Sequence, residues 1–341
     1  MMHCRRGVWA VLLVAVALPG AVFARGKKEN TQYPHGEYDI AYSGATCSSP
    51  IAIGVLKGFF EAEGVKINLV SGGSFESDRS ALAAGKMAVQ NGDFQYFPSV
   101  YNGIDVKLVG GLHEGCIKIL VPQDSPILNL EDLRGKTIAV DEIGGTPMSV
   151  ASVAAGSAGV NPQTEITWKP FPNDLIVQAA DNGEADVIAL WDPFATLAER
   201  TGRFRVLVDL SEHPLFANKA CCFIFASGKL VRDNPAAVAA VLRGINKAAE
   251  WIGANPRETA ALLISEKRIA TDDVELVSGL LGHYRYGQHA GSAANIRAKD
   301  DALYFADQLT KIGYLPADLN VQKFIDDLFV DIFAVEAGTK K

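Results

Sequence analysis

The residues with the widest chemical reach in this sequence are four cysteines and a histidine: Cys47, His113, Cys116 and the adjacent pair Cys221 and Cys222. Cys116 lies in the apolar stretch 106–121, which a glycine-rich bend divides, and the cysteine pair opens a second apolar run at 220–226. Neighbouring side chains on a strand point to opposite faces, so one of Cys221 and Cys222 is expected to face any shared cavity. Three chemistries stand open for the set. A disulfide between Cys116 and one of the pair suits an exported chain, although spacing does not fix connectivity. Buried thiols behaving as small apolar groups are the second. Ligation of a soft metal together with His113 is the third, because thiolate and imidazole are soft donors.

A second set follows from loops that leave the ends of predicted strands, where ligands of open α/β sheets bind. These loops are 43–49, 72–75, 91–94, 144–148 and 190–193, and the candidate ligand-binding residues in them are Ser43, Gly44, Thr46, Cys47, Gly73, Ser74, Phe75, Asp93, Gly145, Thr146, Pro147, Trp191 and Asp192. The glycines allow backbone N–H groups to approach a ligand closely. Helix N-termini at the serine and threonine positions suit the oxygens of nitrate, sulfonate, carboxylate or phosphate. The same serines and threonines also serve as ordinary helix caps. Trp191 offers a face for a planar ring and Asp192 an acceptor for an amine; the alternatives are a core tryptophan and a cap for the helix after Pro193. No ordered Ser/His/Asp or Cys/His set, phosphate-binding Gly-Lys-Ser/Thr loop or regular metal-ligand spacing is found. His283 and His289 fall in a polar stretch and read as surface or inter-lobe residues.

The elements that must carry these groups alternate strand and helix, as in a parallel α/β sheet. A strand at 38–42 is followed by a helix opened by Pro50 and running to about Glu63, a strand at 65–70, a helix at 75–84 and a short strand at 87–90. The same order returns with a strand at 134–140, a helix opened by Pro147, strands at 165–168 and 185–190 and a helix at 174–180 between them. Pro50 maps onto Pro147, Gly64 onto Gly159 and Gly85 onto Gly183, at offsets of 97, 95 and 98 residues, which indicates two similar units in series. The runs 106–121 and 220–226 are read as the two strands that join the lobes. The remaining chain is helical, with Asn234-Pro235 and Asn255-Pro256 as helix starts. The expected organisation is a signal peptide at 1–24, a flexible leader at 25–36, lobe 1 at 37–117 and 221–341, and lobe 2 at 118–220.

Arg5 and Arg6 precede a short apolar run from Val8 to Leu18, ended by Pro19-Gly20, with Val22 and Ala24 at the positions of a cleavage site. This reads as a cleaved secretory signal. Cys4 precedes the apolar run and so is not a lipidation site. The net charge of −7 argues against nucleic acid as a partner. Among 341 residues no later stretch is long and apolar enough to cross a bilayer.

Three segments together are specific: 53–65 (IGVLKGFFEAEGV), 81–89 (ALAAGKMAV) and 130–140 (LEDLRGKTIAV). They resemble the substrate-binding proteins of the nitrate/sulfonate/taurine and thiamine-pyrimidine type, the NMT1/THI5-like group. The resemblance implies an α/β, two-lobed periplasmic-binding-protein fold of type II, with two similar units joined by hinge strands and a helical tail packed on lobe 1. It also implies a cleft that closes on a small molecule, and docking on an ABC permease with its ATPase. A monomer touching the membrane only through the permease is expected, with no cofactor and no catalytic residue. Cys221-Cys222-Phe223 additionally resembles part of the cysteine-rich segment of the thiamine-pyrimidine synthase branch, a single-turnover iron-dependent enzyme. That branch has more cysteines there, whereas the neighbours here are Ala220 and Ile224. The alternative function is therefore a secreted metal- or redox-dependent enzyme.

Overall fold

The computed structural model describes Met1, residues 32–286 and residues 292–338. The expected signal peptide, most of the expected leader and His289 lie outside the described residues.

Two sheets of matching design organise the chain. In the first, β1 (Glu37–Tyr42) and β2 (Lys66–Ser71) pair in parallel, and a bridge from Asp39 to Met87 ties β1 to the strand β3 (Val89–Gly92). Strand β10 (Ala220–Ser227) then runs antiparallel between β3 and β4 (Val106–Glu114). The second sheet contains β5 (Ile117–Pro122), β6 (Thr137–Val140), β7 (Thr167–Pro170), β8 (Val187–Trp191) and β9 (Phe204–Asp209), in the order β7-β6-β8-β5-β9. Its first three strands are parallel, and β5 is antiparallel to both its neighbours. Each sheet thus repeats one plan: the second strand of the unit, then the first, then the third, followed by an antiparallel strand. The repeat read from prolines and glycines is this plan.

The punctuation has a backbone cause. Pro50 lies in the first turn of α1 (Ser49–Leu56) and Pro147 in that of α5 (Thr146–Ser157), where a missing N–H costs nothing. Gly64 and Gly159 adopt φ of +77° and +73°, a region that L side chains disfavour, so glycine ends each helix. One helix differs from expectation. The run to Glu63 is interrupted at Gly58 (φ +69°), so a short helix α2 (Phe59–Ala62) follows α1 at a new angle. The break turns Phe60 wholly inward, against Gly54 and Gly244, where a Cβ would come within 2.4 Å of its ring.

The tail comprises α8 (Gly228–Asp233), α9 (Pro235–Ala254), α10 (Pro256–Ser265), α11 (Val274–His283), α12 (Ser292–Lys311), α13 (Val321–Leu328) and α14 (Ile332–Glu336). Asn234 caps α9 by accepting from the Ala237 N–H at 3.2 Å. The tail covers the first sheet, where the Val330 N–H donates to the Leu108 carbonyl at 2.9 Å. Packing on lobe 1 alone is nevertheless too narrow a description. Tyr314 meets Ser152 of α5 at 3.1 Å, Gln163 donates to the Ile312 carbonyl at 3.1 Å, and Arg200 pairs with Asp273 at 3.0 Å.

The chain passes between the sheets at 115–116 and again at 210–219; β10 itself belongs wholly to the first sheet. The two passages touch. Gly115 (φ +44°) lies so close to Ser211 that a Cβ would come within 2.7 Å of its backbone. The Leu210 N–H donates to the Ile117 carbonyl at 3.2 Å beside them.

Candidate functional site

A cavity of about 180 Å³ lies where the carboxyl ends of both sheets' strands face each other. One wall consists of Ser43, Ala45 and Cys47 after β1, Phe75 at the start of α3 (Phe75–Ala83), Asn91, Gly92 and Gln95 at the end of β3, and Cys222 of β10. The other consists of Asp141 and Glu142 after β6, Gly145 and Thr146 at the start of α5, and Trp191 closing β8, with Cys116 at the crossing. A second cavity of about 240 Å³ adjoins it and shares Phe75, Gln95 and Glu142.

Among the described residues, two carboxylates and no lysine, arginine or histidine line the first cavity. Asp141 accepts from the Trp191 indole N–H at 2.8 Å, so the acid holds the ring in place. Burial pushes its carboxyl above the usual range, and the indole bond only partly offsets this. Glu142 reaches across the cleft: the Phe75 N–H, at the first turn of α3, donates to its two carboxylate oxygens at 3.0 Å each. The positive end of α3 is thereby occupied by a side chain from the opposite wall. The Thr46 N–H donates to the Asp192 carbonyl at 3.1 Å, a further link between the walls.

Ser43, Cys47, Phe75, Gly145, Thr146 and Trp191 of the predicted set are brought to this cavity. Others stand behind it. Gly44 turns at φ +81° against the backbone of residues 268–269. Thr46 is buried, and its carbonyl accepts from the Tyr286 hydroxyl at 2.8 Å. The Gly73 N–H is held by Asp78 at 2.9 Å, and Ser74 is the N-cap of α3. Pro147 is buried in the first turn of α5. Asp93 is fully buried and accepts from the Gln95 N–H at 2.7 Å, while burial drives its carboxyl well above its ordinary range.

Asp192 does not line the cavity: its Oδ1 accepts from the N–H and hydroxyl of Thr196 at 3.0 and 2.7 Å, which ties it to the first turn of α7 (Phe194–Arg200). Its Oδ2 accepts from Tyr284 at 3.2 Å. The acidic pair that does face the cavity, Asp141 and Glu142, was missed, although it directly follows the carboxyl end of β6.

The cysteines converge. Cys47, Cys116, Cys222 and His113 present ligand atoms within 4.8 Å of one another, and all four residues are buried. Cys116 Sγ lies 3.8 Å from both Cys221 Sγ and Cys222 Sγ, close to twice the length of a disulfide bond, and all four described cysteines are free. The disulfide reading is thus replaced by free thiols. Of the adjacent pair only Cys222 lines the cavity, as expected, although β10 is bulged. Ala220 pairs with Glu114 and Cys222 with His113, which leaves Cys221 as an extra residue. A bulge breaks strict alternation, and both sulfurs come to the same partner. Hydrogen bonds from Cys116 and Cys222 pull the Cys47 thiol well below its ordinary range.

Tyr284 and Tyr286, which lie in the stretch read as polar, are buried as a roof over this cluster, with ring centroids 5.1 and 5.7 Å from His113. Tyr286 donates to the Thr46 and Cys47 carbonyls at 2.8 and 3.0 Å. His283 is exposed, as expected.

Two α/β lobes of like topology, facing each other across a ligand-sized cavity, are the two-lobed type II periplasmic-binding-protein fold. The chain belongs to the NMT1/THI5-like family, whose model matches residues 46–259. A protein of Bacillus subtilis (strain 168) named "Putative aliphatic sulfonates-binding protein" is 26% identical over 289 residues, covering 83% of this chain and 84% of that protein. The alkanesulfonate-binding protein SsuA from Xanthomonas axonopodis pv. citri, bound to MOPS, superposes with a TM-score of 0.69 at 19% identity, covering 84% of this chain and 97% of that one. The periplasmic nitrate-binding protein NrtA from Synechocystis PCC 6803 gives 0.72 at 15% identity, over 89% and 88% of the two chains. The proteins so named are binding proteins. No helix among the described residues is long and apolar enough to cross a membrane.

Proposed function

We propose that this chain is the extracytoplasmic solute-binding protein of an ABC importer, which captures a small nitrogenous, cationic or heterocyclic molecule between its lobes and passes it to a permease and its ATPase. One lobe is built on β1–β4 and β10 and the other on β5–β9, and the signal peptide expected at 1–24 directs export. The binding proteins among its relatives support the transport role. The ligand class rests on one observation: among the described residues the cavity wall carries Asp141 and Glu142 and no basic side chain. An oxyanion entering there meets two carboxylates in a partly desolvated space, where repulsion is weakly screened. A cation gains from both, and from the face of Trp191. Ser43, Thr146 and Gln95 supply hydrogen bonds, and contacts to both walls make closure favour the loaded form.

Mass spectrometry of small molecules released from freshly purified protein tests the class, followed by titration with an aminopyrimidine and an alkanesulfonate. A nitrogenous cation is expected in the released fraction. Trp191→Ala and Thr146→Ala are expected to weaken its binding by about tenfold or more, as loss of about 1–2 kcal/mol of stacking or hydrogen bonding implies. Release of a sulfonate, or tighter binding of the alkanesulfonate, overturns the ligand class. Binding unchanged in both variants overturns the site.

A further inference from the structure

We infer that Cys47, Cys116, Cys222 and His113 form a binding site for a soft d¹⁰ cation, Cu⁺ or Zn²⁺, at the floor of the cleft. The inference does not rest on the transport role or on the ligand class proposed above. Three thiols and an imidazole are the donor set of soft or borderline metals and a poor one for Mg²⁺ or Ca²⁺, which prefer oxygen.

The spacing fits. Bonds of about 2.3 Å from a tetrahedral metal place its sulfurs roughly 3.8 Å apart, and Cys116 and Cys222 stand at 3.8 Å. All four donors already lie within 4.8 Å of one another, so short side-chain movements close the shell.

The histidine gives an independent indication. Its Nδ1 is 3.0 Å from the Glu114 carbonyl, which only accepts, so Nδ1–H is the donor and Nε2 is the other ring nitrogen. That nitrogen is buried and has no hydrogen-bond partner. A buried polar atom left unpaired costs about 1–3 kcal/mol. An imidazole oriented by a backbone carbonyl at one nitrogen and free at the other is how histidine is prepared for a metal. Cys221, 3.7 Å from Nδ1, stands beside the imidazole rather than within the four-donor set.

The donors come from separate parts of the fold: a turn after β1, the end of β4, the crossing at 115–116 and the bulged β10. The Tyr286 hydroxyl holds the Cys47 carbonyl, so the shell is set by the fold rather than by a flexible loop. Each thiol that ligates the cation gives its proton to solvent, and no electron is transferred.

The test uses the full mature chain purified under reducing, anaerobic conditions, stripped with a chelator and titrated in separate arms with Cu⁺ against a chromogenic competitor and with Zn²⁺ against another. One equivalent per chain is expected in at least one arm, with a rise in melting temperature and, for a Co²⁺ probe, the absorption of tetrahedral thiolate coordination. The arm with tighter binding identifies the ion. Cys222→Ser and His113→Ala are expected to lower affinity by a hundredfold or more, whereas Cys221→Ser changes it less than tenfold. Melting of the chelator-stripped variants separates loss of the site from loss of the fold, and Cys47→Ser provides a further test if either variant misfolds. No stoichiometric uptake of either ion, uptake unaffected by Cys222→Ser and Cys47→Ser in folded protein, or two rather than four free thiols in the chain purified without reductant overturns the inference.

Discussion

Asp141 shows how one side chain can have opposite effects on folding and on binding. Burial holds its carboxyl above the range it has in an unfolded chain. As pH rises, the unfolded chain ionises first, so stability falls across the interval between the two pKa values and levels off above the higher one. An asparagine at 141 removes that slope while still accepting from the indole of Trp191. Melting temperatures measured from about pH 4 to about pH 7 are therefore expected to decline in the native chain relative to Asp141→Asn. Affinity for a cation is expected to move the other way, rising with pH in the native chain and staying flat in the variant. Parallel melting profiles would remove the burial argument.

Elements were legible to the degree that backbone chemistry forces residue choice. Pro50 and Pro147 opening helices, and Gly64 and Gly159 ending them, could be read because few other residues fit those positions, and the repeated strand order followed from them. The bulge in β10 could not be read, since all eight of its residues are buried and no alternation exposes a slip in register. Asp141 and Glu142 were hidden for a related reason: acids at a strand end look like solvated turn residues until the opposite wall is in place. Tyr284 and Tyr286 were masked by their polar neighbours Arg285 and Gln288. The crossings offer a prediction at this scale. Alanine at Gly115 or at Gly183 must adopt a left-handed φ, costing about 1–2 kcal/mol. Only at Gly115 does the new Cβ also meet backbone, whereas at Gly183 it meets open space. Urea unfolding is expected to show Gly115→Ala as the more destabilised by at least about 1 kcal/mol, within the range for overpacking. Equal losses would mean that the two passages are free to move apart.

At the scale of the whole molecule, several contacts join the lobes, and Glu142 is a charged cavity residue whose bond to Phe75 joins the two walls. Removing it in Glu142→Ala is expected to shift the population toward separated lobes, seen as a larger radius of gyration by small-angle scattering. The same change is expected to raise affinity for an alkanesulfonate, which the proposed ligand class has the native chain exclude. An unchanged radius together with continued refusal would show that this contact does not govern the cleft. A carboxylate attached to the protein competes for the α3 amide at an effective concentration of order millimolar or more, whatever the surroundings contain. Free anions must outcompete that tethered rival at every encounter, while a positively charged guest recruits it as a partner. Under the proposed ligand class, selectivity by charge would thus be built into the chain's connectivity and persist at any dilution of the guest.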